Sequence, residues 1–86
     1  MKKLVKLENT VTVDTLMPLR NELRRCRKEE AQMVIKEASK ISGIHSNVIQ
    51  YIETGRENHD ISIRTVLLLC KTYKVVPGDV FGACGM

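Results

Sequence analysis

Two histidines, three cysteines and a scatter of charged side chains are the residues of this chain best equipped for chemistry. His45 and His59 have no Cys, Asp or Glu at metal-ligand spacing, and neither stands beside a nucleophile. Asp60, next to His59, reads as a solvated loop neighbour. Cys26, Cys70 and Cys84 include no CxxC pair and are odd in number, so neither a zinc site nor a disulfide framework is signalled. Reduced thiols and a cytoplasmic setting are expected. Gly78, Gly82 and Gly85 lie near the end without a following helix or lysine, which speaks against a phosphate-cradling loop. The expectation is no catalytic residue, no metal and no cofactor. What remains is charge: 14 Lys plus Arg against 10 Asp plus Glu, a net +4 that suits an anionic partner without identifying it. Two Tyr, one Phe and no Trp are too few for the stacking platform of a single-strand binder.

The elements that must position these residues belong to one domain, since 86 residues close a single small core. A composition of 43% hydrophobic and 28% charged residues is that of a globular chain. No apolar run approaches the roughly 18 residues needed to span a bilayer, so no membrane association is expected. The chain divides into an arm over residues 1–15, a helical body over 16–81 and a tail over 82–86.

In the arm, Val5, Leu7, Val11 and Val13 share one parity, while Lys6, Glu8, Thr10 and Thr12 share the other. Period two with β-branched residues predicts a short β-strand, or a hairpin turning at Glu8-Asn9-Thr10. Nothing downstream alternates in the same way. An isolated strand is barely stable alone, so pairing with the same strand of a second subunit is expected; the alternative is a frayed basic tail. In the body, Leu16, Leu19, Leu23 and Cys26 follow helical spacing after Pro18. Arg20, Arg24, Arg25, Arg27 and Lys28 are expected on the opposite face, either solvated or turned to nucleic acid. A second helix is predicted over Val34 to Ile41, closed by Gly43. A third begins at His45-Ser46, capped by Ser46 or by His45, and ends before Gly55. Ser62 caps a fourth over Ile63 to Tyr73, with Val66, Leu67, Leu69, Cys70 and Tyr73 apolar, and Pro77 opens a fifth turn to Phe81.

The most informative stretch runs from Glu37 to Gly55, EASKISGIHSNVIQYIETG. Ser39 is small enough to let two helices cross closely, Gly43 makes the turn, and Ile44, Ile49 and Ile52 pin the second helix on the first. One face of that second helix is then left projecting, and such a helix fits a B-DNA major groove about 12 Å wide.

With these marks in place, residues 19–81 resemble a helix-turn-helix domain of the Cro/lambda-repressor (XRE-like) family of bacterial and phage regulators. The resemblance rests on LRNELRRCRK for helix one, SKISGIHSNVIQYIETGREN for the helix-turn-helix, SIRTVLLLCKTYKV for helix four and PGDVF for helix five. It implies an all-α, five-helix lambda-repressor-like DNA-binding domain, here with a short N-terminal β-strand arm. It also implies a recognition helix at about Ser46 to Glu53, with Ser46, Asn47, Gln50 and Tyr51 reading bases. Lys36, Lys40, His45, Thr54, Arg56, Asn58 and His59 would then meet phosphates, which set affinity and orientation rather than sequence. Glu53 occupies the family's acidic position, whose usual partner is a helix-one arginine; Arg27 matches that place.

The chain departs from the family pattern in several places. Val34-Ile35 stand where Ser-Gln is common, and the connection Glu30-Ala31-Gln32 is about one residue longer. The loop after Gly55 is about two residues longer. Ile41 and Leu68 replace commonly polar residues, which implies either an interaction surface or extra burial. The expectation is a homodimeric, sequence-specific double-stranded DNA-binding regulator, most simply a repressor. The alternative is an antitoxin or antirepressor-like module whose main partner is another protein, such as a toxin.

Overall fold

Helix formation here starts from residues that tolerate unsatisfied backbone groups. The computed structural model describes residues 15–56 and 60–85. In α1 (Met17–Arg25), Pro18 lies in the first turn, where its missing N–H costs nothing. Leu19, Leu23 and Cys26 are buried along one side, and Leu16 is half-buried. A π-helical turn, Cys26–Glu30, then continues α1: the Ala31 N–H donates to the Cys26 carbonyl at 2.9 Å. Gln32 stops it by adopting a left-handed φ of 54°.

The next helix, α2 (Ile35–Ser42), is preceded by extended Val34 as its N-cap, one residue later than the periodicity predicts. Gly43 ends it at φ 80°, and its N–H donates to the Ser39 carbonyl at 2.9 Å. In α3 (Ser46–Thr54) the cap is His45 rather than Ser46: His45 Nδ1 accepts from the Asn47 N–H at 3.1 Å. Gly55, at φ 74°, closes the far end. Ser62 caps α4 (Ile63–Tyr73) by accepting from the Thr65 N–H at 3.1 Å. Finally α5 (Pro77–Ala83) runs beyond Phe81 and takes in two residues expected in the tail.

These five α-helices enclose one core, and among the described residues there is no strand. The arm residues Val5, Leu7, Val11 and Val13 lie outside the described residues. Every helix contributes to the core: Leu19 and Leu23 from α1, Ala38 from α2, Ile49 and Ile52 from α3, Val66, Leu69 and Cys70 from α4, and Val80 from α5. Ala38 packs at zero exposure, the small side chain permitting close approach of helices to α2. In turn α2 packs against both α3 and α4, while α1 packs against α3 and α5. No helix among the described residues is long and apolar enough to cross a membrane.

On α4, Leu67 is exposed and Thr72 takes an inward place. Its Oγ1 donates to the Leu68 carbonyl at 2.9 Å, which removes the cost of burying a free hydroxyl. The basic side of α1 is also not a uniform solvated stripe. Arg20 and Arg27 are buried, Arg25 is half-buried and engaged by acids, and of that set Arg24 and Lys28 are exposed.

Candidate nucleic-acid interface

The two sides of α3 are built from opposite chemistry. Ile49 and Ile52 seat it in the core, and Glu53 is buried beside them. Asn47, Gln50 and Thr54 are exposed, with Ser46 and Tyr51 half-buried at their edge. Positions 47, 50, 51 and 54 recur at i, i+3, i+4 and i+7, so the helix gathers them on one face. Neither the Asn47 nor the Gln50 amide forms a side-chain hydrogen bond with the described residues. Each therefore keeps its full capacity to donate and accept.

Two arginines of the first helical segment hold α3 from behind. Arg20 Nη1 donates to the Ile52 carbonyl at 2.9 Å and to the Tyr51 carbonyl at 3.3 Å. Both carbonyls belong to the last turn of α3, where acceptors lack an intrahelical partner or are shared at the cap and a cation complements the helix dipole. Arg27 makes a two-pronged ion pair with Glu53: Nε to Oε2 at 2.7 Å and Nη2 to Oε1 at 3.0 Å. Its third contact, Nη1 to the Met33 carbonyl at 2.8 Å, ties the same side chain to the connection before α2. Arg27 thus links α3 to the start of α2, and hydrogen bonding to Glu53 strengthens its hold on its proton. The side chains of this pair are 9% and 4% exposed, so its charges are largely shielded from water and from salt.

Next to this pair, Tyr73 is buried, and its hydroxyl has no hydrogen-bond partner among the described residues. Burial first, and the Glu53 charge second, push the hydroxyl's pKa upward. Burial likewise raises the Cys26 thiol, to about 11, and the Cys70 thiol, which keeps both protonated and poorly nucleophilic. Among the described residues no group of three His, Cys, Asp or Glu gathers in a way that could hold a metal ion.

Further polar and basic residues are exposed on α2 and at the two ends of α3. Lys36 and Lys40, one turn apart on α2, are exposed, as are His45 and Arg56. His45 spends Nδ1 on capping α3, which leaves Nε2 to donate outward. Thr54 Oγ1 donates to the Gln50 carbonyl at 2.8 Å, so its single proton is already committed within the helix. Asn58 and His59 lie outside the described residues. Arg25 donates to Glu22 at 2.7 Å and to Glu30 at 3.1 Å, bonds that hold it on α1, and its hydrogen bond lowers the pKa of the Glu22 carboxyl.

Arg20 is the residue that reading by hydrophobic spacing misses. Its register carried a signal: Leu16, Arg20, Leu23 and Arg27 follow i, i+4, i+7, i+11, a row bordering the apolar stripe. A charged type at such a border reads as solvated unless the carbonyls it will meet are already in view. Comparison with known protein families, with curated proteins and with solved structures finds no match to this chain.

Proposed function

We propose that the chain is a sequence-specific, double-stranded DNA-binding regulator of the Cro/lambda-repressor-like helix-turn-helix type, acting as a homodimer. In this reading α2 lies across the phosphate backbone and α3 enters the major groove. One observation carries it: α3 presents the unpaired amides of Asn47 and Gln50 on a single exposed face while its opposite face is clamped by Arg20 and the Arg27–Glu53 pair. An amide that both donates and accepts matches the N6 and N7 edge of adenine, and the clamp would fix the angle at which the amides arrive. Ser46 and Tyr51 flank them. In this reading the exposed Lys36, Lys40 and Arg56 neutralise phosphates, and His45 donates to one through Nε2.

With homodimeric pairing, the operator is an inverted repeat whose half-sites lie about one helical turn, roughly 34–36 Å, apart. Occupying such a site over a promoter is repression in its simplest form. Binding-site selection from random duplexes tests the reading, with enrichment of a symmetric site expected; failure to enrich any sequence refutes it. On the selected site Gln50→Ala lowers affinity by about 1–3 kcal/mol and leaves binding to unrelated duplexes nearly unchanged. An equal loss on all sequences would remove Gln50 from base reading. Affinity falls steeply with added salt as phosphate counterions are released.

A further inference from the structure

The outer surface of α4 meets the end of α2 in an open groove of about 510 Å³. Met33, Ile41 and Leu68 supply its apolar lining, and Lys71 and Lys74 supply its charge. Ile41 is 56% exposed and Leu68 36%, so aliphatic surface stands against water where a covering partner would release it. Among the described residues no carboxylate lines the groove, and α4 contains no acidic residue along its whole length.

Charge decides among possible occupants. A second copy presenting the same groove would set Lys71 and Lys74 against their own equivalents, an arrangement that like charges oppose. Residues 1–14 carry Lys2, Lys3 and Lys6 against Glu8 and Asp14, so this segment is itself net positive. A nucleic-acid backbone answers the lysines but leaves Ile41 and Leu68 wet. A helix with an apolar stripe and flanking carboxylates answers both features together.

We infer that the groove between α2 and α4 is a docking site for an acidic amphipathic helix of a partner protein. Apolar side chains one turn apart on that helix cover Ile41 and Leu68, and its carboxylates meet Lys71 and Lys74. The apolar contact holds the complex, while the exposed ion pairs set orientation and the rate of encounter. None of Asn47, Gln50, Tyr51 or Thr54 lines this groove, so the inference does not rest on the DNA-binding reading.

The test is selection on the full chain from displayed random peptides long enough for about four helical turns. The expected products are amphipathic sequences enriched in Asp and Glu. Leu68→Gln weakens their binding at least about tenfold, as truncating a central apolar anchor does. Lys71→Glu also weakens it, and Gln50→Ala leaves it unchanged. Both groove positions are exposed, and far-UV circular dichroism of each variant verifies that the fold is retained. Enrichment of basic or uncharged peptides, binding that survives Leu68→Gln, or no enrichment at all overturns the inference. So does a dimer that dissociates on Leu68→Gln in sedimentation, since the groove would then be an interface between copies.

Discussion

Both α3 and α4 bury one side in the same core, yet they treat polar groups in opposite ways. The hidden side of α3 carries a full negative charge on Glu53 and meets two guanidinium groups, from Arg20 and Arg27. The hidden side of α4 carries no charge: beside Val66, Leu69 and Cys70 stand Thr72, which is satisfied within the helix, and Tyr73 with its orphaned hydroxyl. Their outer sides are reversed again: uncharged amides on α3, aliphatics with Arg64 and Lys71 on α4. The lesson is about directionality. Apolar packing holds a helix in place but is tolerant of small rotations, whereas a two-pronged ion pair and a carbonyl clamp fix both position and roll. The helix that exposes two free amides is the one anchored by directional bonds.

The largest expected effect comes from breaking that anchor. Glu53→Ala leaves the Arg27 guanidinium buried without its counter-charge, which destabilises the fold by about 3–5 kcal/mol in urea or thermal unfolding. A loss below about 1 kcal/mol would mean that the pair is replaced by water and that α3 is held by apolar contact alone. A smaller effect sharpens how α3 leaves α2. Gly43 sits at φ 80° with open space around the position of a Cβ, so Gly43→Ala carries backbone strain and no clash. The expected cost is about 1–2 kcal/mol, less for Gly43→Asn, because asparagine tolerates the left-handed region.

The smallest effect belongs to α4. Tyr73→Phe removes a buried hydroxyl that has no partner, so stability at neutral pH changes by less than about 1 kcal/mol and in the favourable direction. The sign with pH follows from the raised pKa. The protonated hydroxyl is favoured in the folded chain, so stability is intact below the unfolded value of about 10 and is lost as pH rises beyond it. Unfolding midpoints measured for both proteins across the alkaline range should fall more steeply for the tyrosine form. Parallel curves would mean that the hydroxyl is not shielded as the fold places it.

Much of the helical framework was legible from local pattern. Gly43 and Gly55 mark helix ends because a left-handed residue is needed there and lacks a Cβ penalty only in glycine, and Ser62 marks a start because its hydroxyl can reach an amide three residues on. The exposure of Asn47 and Gln50 also follows locally, from their offset to Ile49 and Ile52. The ends of elements were less legible: His45 and Ser46 can each cap α3, and it is His45 whose side chain accepts from the Asn47 N–H.

The burial of Arg20 was not legible, nor were the inward turn of Thr72 and the groove that Ile41 and Leu68 share. The chain's own order of residue types determined where helices form, which side of each is apolar, and that an arginine and an acid were available to pair. Only the tertiary structure decided that Arg20 meets the carbonyls of Ile52 and Tyr51, 32 and 31 positions away, and that α2 and α4 leave aliphatic surface uncovered between them. The physical reason is reach. Periodicity and capping act within one or two helical turns, whereas a buried charge is stabilised or stranded by whatever a distant helix brings to it.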